Sequence, residues 1–460
     1  MNNKLPQYPA YKPSGVDWLG EIPEHWDAVS LGSIMELKSD KNHPDFEVLS
    51  VYREYGVIKK DSRDDNHNAT SLDTSNYKAV EPGDLVVNKM KAWQGSMGIS
   101  AYKGIVSPAY ITCKVNAEKI HPDYLHQLLR SNLYIGEYNR LSYGVRVGQW
   151  DMHYEDFKHI TTTIPPKEEQ IAIAKFIDTK TALIDQAIGI KEKQIELLKE
   201  RRQILIHRAV TRGVGSLSGA GSLSGTGSLS GVGSLSGVET TNTRLKESGV
   251  EWIGEIPEHW EVKKLKYILK SQGRIGFKGY TTSDLVEKED GALTLGATHL
   301  DWDGNIDISQ PVYISWRKYY ESPEIMVSKN DIIIVQRGST CGKVALIRHD
   351  LGPTTINPSL VLLKEIKANA DYIFLGIKVV LKGILNLVST TAIPMLSQFQ
   401  INNIEVPIPP INEQKSIVMQ VEIVTKRIAT AISLKEQEIE KLKEYKASLI
   451  NEVVTGKIKV

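Results

Sequence analysis

Two stretches of the chain carry the same row of residues, spaced for one face of a long helix. The first lies between the Pro165-Pro166 pair and Gly213, and its row recurs at alternating intervals of four and three. This spacing predicts one helix from Glu168 to about Arg212 with a coiled-coil seam. Adding 244 to each number gives a second row in the same register. The apolar seam residues are Ile184, Ile188, Ile195, Leu198, Leu205 and Ala209, and then Ile428, Ile432, Ile439, Leu442, Leu449 and Val453. The repetition predicts a duplicated chain whose two long helices pair with each other.

A second repeat marks the start of each half of the chain. SGVDWLGEIPEHW at Ser14–Trp26 returns as SGVEWIGEIPEHW at Ser248–Trp260, with eleven of thirteen positions identical. We call this the opening motif. It predicts a structural staple in which Trp18, Ile22 and Trp26 pack on a neighbouring element. A ligand-binding role is the less economical interpretation.

A third repeat, the closing motif, precedes each long helix as IPPKEEQ at Ile164–Gln170 and IPPINEQ at Ile408–Gln414. A proline pair cannot lie inside a helix, and an acidic residue in the first turn favours its start. Between the halves, four copies of GSLSGx are too rich in Gly and Ser to fold, so we interpret them as a flexible tether. The predicted divisions are a first globular domain at 1–166, a spacer helix at 167–212, a linker at 213–238, a second globular domain at 239–410 and a C-terminal spacer helix at 411–460.

Both globular regions show short β-like runs separated by turn residues, with occasional helical stretches. In the first region the runs are at 47–52, 84–88 and 110–115, with a helix near 122–130. In the second they are at 331–336 and 360–363, with a helix at 371–388. The predicted fold class is α+β, with an internal pseudo-two-fold repeat.

Composition excludes several classes of protein. A hydrophobic fraction of 41% with a net charge of +1 is typical of a soluble globular chain, and no apolar run is long enough for a membrane span. The N-terminus lacks the pattern of a secretory signal, so we expect a cytoplasmic protein. Cys113 and Cys341 lack metal-ligand spacing, and we expect them to be reduced and buried. No phosphate-binding loop or zinc motif is present, so we expect no catalytic residue and no metal site.

Two variable α+β domains, each with this opening motif, the closing motif and a long helix, resemble the specificity subunit of type I restriction–modification systems. The resemblance covers essentially the whole chain, and the duplicated IPPxxEQ before a long helix is its most specific mark. It implies two target-recognition domains, each reading one half of a bipartite site in double-stranded DNA. It also implies that two long antiparallel coiled-coil helices separate the domains and set the gap between the half-sites. Because residues 239–260 follow the end of the first helix, the pseudo-symmetry predicts that residues 1–26 lie beside the end of the second.

The same resemblance implies partners and cofactors. Two methylation subunits would dock on the helices, bind S-adenosylmethionine and methylate adenine, and restriction subunits would use ATP and Mg. The specificity subunit itself would catalyse nothing and bind no cofactor. The alternative is a coiled-coil scaffold whose globular domains bind proteins and lack DNA specificity.

Direct readout of bases needs Arg, Lys, Asn or Gln side chains at base edges. Such residues cluster in two loops, 88–95 and 336–343, that each follow a predicted strand. A polar turn before Trp150 and a Gly-rich stretch near residue 275 add others. The candidate DNA-binding residues are Asn88, Lys89, Lys91, Trp93, Gln94, Arg146, Gln149, Arg274, Lys278, Gln336, Arg337, Ser339 and Lys343. For one residue alone a solvated loop position is the simpler interpretation, whereas for Lys89–Gln94 and Gln336–Ser339 as units we favour DNA contact.

Basic residues interrupt both seams at the same two places, Lys191 and Arg202 in the first helix and Lys435 and Lys446 in the second. These side chains can extend their apolar stems along the seam and keep their charges in water, which is the interpretation we favour. They can also meet acidic groups of a methylation subunit.

Overall fold

The structure, a computed structural model, describes residues 6–62, 73–146, 149–215, 244–274, 279–388 and 395–460. They belong to two compact units. The first unit combines Met1–Lys193 with Leu434–Val460, and the second contains Gln194–Ser433. Most of the predicted linker at 213–238 lies outside the described residues, as does Lys278. In the described ranges, no helix is both long and apolar enough to cross a bilayer.

The first unit is built on a four-stranded antiparallel sheet in the order β4–β11–β8–β9, accompanied by two-stranded pairs. Val87 in the inner strand β8 pairs with Ile111 of β11 on one side and with Met97 of β9 on the other. The elements up to the first long helix are β1 Tyr11–Pro13, β2 Glu21–Pro23, β3 Asp27–Ser30, β4 Met35–Lys38, β5 Leu49–Tyr52, β6 Gly56–Lys59, β7 Lys78–Val80, β8 Leu85–Asn88, β9 Met97–Ile99, β10 Gly104–Val106, β11 Tyr110–Val115, α1 Pro122–Leu129, α2 Asn132–Leu141, β12 Tyr143–Arg146, β13 Gln149–Asp151, α3 Tyr154–Phe157, β14 Thr161–Ile164 and α4 Lys167–Arg212.

The second unit repeats this sheet as β18–β25–β22–β23 and adds another, β19–β21–β20–β24. In the added sheet β20 and β24 run parallel, with Leu293 paired to Thr354. The remaining elements of the chain are β15 Leu245–Glu247, β16 Glu255–Pro257, β17 Glu261–Lys264, β18 Lys270–Gly273, β19 Leu285–Val286, β20 Gly291–Leu295, β21 Tyr313–Ser315, α5 Trp316–Tyr320, β22 Ile332–Val335, β23 Val344–Leu346, β24 Thr354–Ile356, β25 Leu360–Lys364, α6 Ala370–Val388, α7 Gln398–Asn402, β26 Glu405–Ile408 and α8 Ile411–Val454.

The inner strand β22 explains why its sequence is a continuous apolar run. Ile332 and Ile334 pack with residues of the helices, whereas Ile333 and Val335 pack against the added sheet. A strand covered on both faces needs apolar residues at every position. The predicted strand runs coincide with β5, β8, β11, β22 and β25, and the two predicted helical stretches coincide with α1 and α6.

The first long helix begins immediately after Pro166 and ends before Gly213, whose φ of 80° is in the left-handed region. A glycine in that conformation after the last helical residue is a common helix stop. The predicted start at Glu168 differs from the observed start by one residue. The chain therefore carries two helices, α4 and α8, of 46 and 44 residues.

Within the first unit, the parts of the two long helices that it contains lie antiparallel. The Lys191 Nζ lies 2.6 Å from an oxygen of Glu438, and the Lys446 Nζ lies 2.7 Å from Asp185. Higher numbers in one helix thus meet lower numbers in the other. All the seam residues named from the sequence are buried or half-buried along the two helices. In this unit Ile184, Leu449 and Val453 share one core.

The basic residues of the seams have acidic partners inside the chain. Lys435 lies 3.0 Å from Glu438, which also pairs with Lys191, and Arg202 lies 2.5 Å from Asp303 in the second unit. These side chains are partly exposed at their tips, as the interpretation with charges at the edge of the helix pair requires.

The opening and closing motifs bind each other in both units. In the first unit the Trp26 indole and His25 donate to the carboxylate of Glu169 at 2.9 and 2.7 Å. In the second unit Trp260 and His259 contact Glu413 at the same two distances. Because both tryptophans are fully buried, each indole N–H needs this partner. The structural-staple prediction is confirmed, and its partner is the acidic residue of the closing motif.

The glutamine of each closing motif satisfies backbone groups at the same junction. The Gln170 side chain accepts from the N–H of His121 at 2.5 Å and donates to the carbonyl of Pro165 at 2.8 Å. Gln414 accepts from Asn369 and donates to Pro409, each at 2.8 Å. The motif therefore connects the start of each long helix to its own globular region.

A buried tyrosine in each unit holds the end of a long helix. The Tyr124 hydroxyl donates to the Val454 carbonyl at 3.2 Å, and the Tyr372 hydroxyl donates to the Val210 carbonyl at 3.2 Å. Those carbonyls lie in the last turn of a helix, where the helix itself supplies no donor. In the first unit the opening motif lies at the same helix end, since the Lys457 Nζ donates to the Glu21 carbonyl at 2.6 Å. The prediction that residues 1–26 lie beside the end of the second helix is confirmed for its described part, residues 6–26.

Candidate nucleic-acid interface

The two candidate loops occupy the same place in equivalent sheets. The first loop, residues 88–95, follows β8, and the second loop, residues 336–343, follows β22. Each strand is an inner strand of its sheet, β8 between β11 and β9, and β22 between β25 and β23. The first loop folds as a 3-10 helix that ends at Gly95, with φ of 84°. Equivalent loops on equivalent sheets can present side chains to equivalent ligands.

In the first loop the side chains divide between packing and exposure. Lys89 lies 3.3 Å from the Asp151 carboxylate, and Trp93 packs edge-on against Trp150 with ring centroids 5.3 Å apart. Gln94 is half-buried, whereas Lys91 is exposed. Lys91 is therefore the cation of this loop that is best placed to contact a ligand.

Two polar atoms of the first loop are buried without a hydrogen-bond partner among the described residues. They are the Oδ1 of Asn88 and the indole Nε1 of Trp93. Neither atom can contact DNA while it is covered. Both residues consequently support the loop from beneath in this conformation.

In the second loop two of the four candidates have partners within the unit. Gln336 donates to the Pro358 carbonyl at 3.0 Å, and Lys343 donates to the Leu300 carbonyl at 2.6 Å. The Lys343 ammonium also lies 5.9 Å from the centre of the Trp302 ring. Arg337 and Ser339 are exposed. These two side chains are the ones the second loop offers to a ligand.

Arg274 requires a correction, because the structure places it in the interior of the second unit. Its side chain is 6% exposed and donates to the Ile356 carbonyl and the Thr355 hydroxyl, each at 3.2 Å. Burial lowers the pKa of Arg274. A guanidinium whose donors are engaged inside the fold cannot reach a base edge, so the prediction that Arg274 contacts DNA is wrong.

Arg146 and Gln149 face each other across the β12–β13 hairpin of the first unit, where their backbones are paired. Their side chains and Lys278 lie outside the described residues. These three residues remain sequence predictions.

The two cysteines are buried and free. Cys113 is in β11, where burial raises the pKa of its thiol to about 12. Cys341 is in the second loop, and its thiol donates to the Gln336 carbonyl at 3.3 Å. The prediction that both cysteines are buried is confirmed. Within the described ranges no group of three or more His, Cys, Asp or Glu side chains is placed to hold a metal ion.

One part of the interface was recognised from the sequence only at Gln149, the start of its first copy. In each unit a return segment, residues 149–157 or residues 395–402, passes the loop before the chain enters the closing motif. The N–H of Met152 donates to the Lys89 carbonyl at 2.9 Å, and the N–H of Leu396 donates to the Gln336 carbonyl at 2.7 Å. The offset of 244 that relates the two helices also relates Met152 to Leu396, which is the signal that could have identified this part.

Comparison with known proteins agrees with the duplicated architecture. The family model for the type I restriction modification DNA specificity domain matches residues 23–200 and again residues 257–444. Among curated relatives, the putative type I restriction enzyme MjaX specificity subunit of Methanocaldococcus jannaschii is 25% identical, over 96% of each chain. The MjaVIII specificity subunit of the same organism is 24% identical over 95% of this chain and 94% of the relative.

Solved structures share the fold at lower identity. One similar chain comes from a structure described as the structural basis of complex assembly and conformational transition of the type I R-M system. Its TM-score is 0.65 at 14% identity, and the match covers 94% of this chain and 98% of that chain. The HsdS subunit from Thermoanaerobacter tengcongensis has a TM-score of 0.53 at 14% identity, covering 95% and 98%. The family model covers more than half of the residues in two copies, so the chain belongs to the family of type I restriction modification DNA specificity domains.

Proposed function

We propose that this chain is the DNA-recognition subunit of a type I restriction–modification complex, in which each unit reads one half of a bipartite site. The observation that carries the proposal is the pair of equivalent loops, 88–95 and 336–343, on sheets of the same strand order. The matches to the DNA specificity family support the same conclusion, and they favour it over a protein-binding scaffold.

Base readout is assigned to the exposed cations of the two loops. Arg337 is exposed and has no hydrogen-bond or ion-pair partner among the described residues. An arginine in this situation can donate two hydrogen bonds to the O6 and N7 of guanine. Lys91 has the corresponding role in the first unit. Specificity would therefore be divided between two separate loops.

The two long helices are the proposed spacer. A helix of 46 residues is about 69 Å long at a rise of 1.5 Å per residue. An antiparallel pair of such helices, with each globular region held at a helix end by a buried tyrosine, would fix the gap between the half-sites. A mutation in the loops should consequently change a half-site and leave the gap unchanged.

Catalysis is assigned to partner subunits, and this chain has the non-catalytic role. Two methylation subunits would dock on the helices and use S-adenosylmethionine to methylate adenine, and restriction subunits would use ATP and Mg. The family membership supports this division of labour.

The test is to assemble the full chain with its methylation subunits and S-adenosylmethionine and to map methylated adenines across a genome. The proposal predicts one split motif with a fixed, unspecified gap. Methylation without sequence preference, from a complex that assembles normally, would instead support the scaffold alternative.

A further inference from the structure

The two return segments place different chemistry opposite the two loops. Because Met152 and Leu396 make the same backbone bond, the residues before them, Asp151 and Met395, are equivalent. In the first unit Asp151 forms an ion pair with Lys89 at 3.3 Å. In the second unit Met395 lies directly opposite Arg337 in an isolated antiparallel bridge. The position beside the loop that carries a carboxylate in the first unit therefore carries a thioether in the second, next to Arg337.

The bridge fixes the direction of the Met395 side chain. Residues directly opposite each other in an antiparallel pair place their side chains on the same face, about 5 Å apart at Cβ. Met395 is 61% exposed, whereas the next residue, Leu396, is 4% exposed and belongs to the core. Met395 thus lies beside Arg337 at the surface while Leu396 anchors the segment.

A second apolar side chain lies one helical turn further along the return segment. Phe399 is 76% exposed, whereas Ile401 is fully buried. The Ser397 hydroxyl caps α7 by accepting the N–H of Gln400 at 3.2 Å, which holds Phe399 on an ordered element. Its equivalent in the first unit, at the offset of 244, is Glu155. The second unit consequently presents apolar residues at two positions where the first unit carries carboxylates.

We propose that Met395 and Phe399 select a thymine in the half-site read by the second unit, an inference that rests on the proposed DNA-recognition function. Among the base edges that line the major groove, thymine carries the apolar 5-methyl group, and side chains such as Phe recognise this group by direct contact. Arg337 beside this pair supplies the donors for a neighbouring guanine. The absence of a carboxylate at position 395 leaves the guanidinium available for the base.

The chemistry of this surface favours DNA over an apolar protein surface as the occupant. A protein that covered Met395 and Phe399 would also bury the Arg337 guanidinium, and an unpaired buried charge is costly. Duplex DNA offers a methyl group for the apolar pair and acceptors for the cation at adjacent base pairs.

The experiment uses the full chain assembled with its methylation subunits. The second unit's half-site is identified as the half of the methylated motif that Arg337→Ala relaxes. Each thymine of that half-site is then replaced by deoxyuridine in a synthetic duplex, which removes only the 5-methyl group. At one thymine the deoxyuridine substitution should weaken binding of the complex to the duplex about fourfold. This corresponds to the roughly 0.8 kcal/mol that burial of one carbon group, here the 5-methyl group, contributes. The double variant Met395→Ala, Phe399→Ala should bind both duplexes equally.

A matched control comes from the first loop. Met90 is 55% exposed, so Met90→Ala removes an exposed methionine side chain from the other unit and should leave the deoxyuridine effect intact. Met395→Asp copies the first unit and should abolish the preference for thymine and weaken the contact of Arg337. Equal thermal unfolding and equal binding to random DNA would show that the variants remain folded.

The outcomes separate this inference from the proposed function. If the wild-type complex methylates a split motif but no deoxyuridine weakens its binding, the thymine assignment is overturned and DNA recognition stands. The thymine assignment is also overturned if the double variant keeps the preference, or if Met395 and Phe399 are needed only to bind another protein. A wild-type complex without any sequence preference would overturn both.

Discussion

Removing the carboxylate of the closing motif should destabilise the two units by different amounts. In the first unit Glu169 accepts hydrogen bonds from Trp26 at 2.9 Å and from Tyr8 at 3.1 Å, and both donors are buried. In the second unit the buried donor to Glu413 is Trp260, at 2.9 Å. A buried donor without a partner costs about 1–3 kcal/mol. Glu169→Ala should therefore cost about twice as much as Glu413→Ala.

The other contributions cancel in this comparison. His25 and His259 are both close to half exposed, so each surface pair contributes at most about 1 kcal/mol. Both glutamates lie in the first turn of a long helix, where a negative charge has the same favourable effect. The assay is equilibrium unfolding in urea for the wild type and the two variants. Equal losses for the two variants, or losses below about 0.5 kcal/mol, would refute the reasoning.

The same carboxylate should give the first unit a dependence on pH. Burial acts to raise the pKa of Glu169, but the hydrogen bonds from Trp26, His25 and Tyr8 outweigh it and lower the pKa below its usual value of 4.5. A carboxyl group with a lowered pKa stabilises the fold above its unfolded pKa, and the contribution is lost as the pH falls through the folded pKa. The difference in stability between wild type and Glu169→Ala should therefore narrow below about pH 4.5.

Three further predictions concern the seam, its charges and the corrected arginine. Leu449 is a seam residue that is 3% exposed, so Leu449→Ala should lower the free energy of unfolding by about 2–5 kcal/mol. Leu197 is 54% exposed, so Leu197→Ala should change the free energy of unfolding by less than about 0.5 kcal/mol in the same urea titration. Replacing Lys191 and Lys435 together by Leu removes ion pairs that are largely solvated, so the free energy of unfolding should change by less than about 1 kcal/mol. Size-exclusion chromatography should show that the variant still assembles with the methylation subunits. Arg274→Met should cost about 1–3 kcal/mol by leaving buried acceptors unpaired, and it should leave the methylated motif unchanged.

The features that could be predicted from the sequence are local or duplicated. The seams of the long helices follow from spacing within one helix, which needs no knowledge of the rest of the fold. The opening motif could be interpreted as a staple because two copies retain Trp26 and Trp260. The acceptors for these tryptophans could not be predicted, since Glu169 and Glu413 lie 143 and 153 residues further along. Their position in the first turn of a helix was already explained by the preference of helix starts for acidic residues.

The strand order and the burial of individual polar residues depend on non-local pairing. QGRIGFKG has the composition of an exposed polar loop, and this led to the wrong prediction for Arg274. The pairing of Gly273 with Val361 places the following arginine inside the unit, where carbonyl and hydroxyl groups accept its donors. Composition alone cannot distinguish a solvated guanidinium from a buried one with partners.

The candidate interface was predicted in part for the same reason. The two loops could be located because each follows a recognisable strand. The return segment of the second unit was missed because Met395 and Phe399 lie 52 and 56 residues beyond the end of the second loop and have no polar side chain. Non-local contacts, among them the backbone bonds to Lys89 and Gln336, bring these segments to the loops.

The central claim is that two separate loops read two separate half-sites. The measurement that tests it most directly is a genome-wide map of methylated adenines for complexes that contain the wild type, Lys91→Ala or Arg337→Ala. The account predicts that each variant relaxes a different half of one split motif and that the gap stays the same. If both variants affect the same half, or if neither changes the motif, the claim is contradicted.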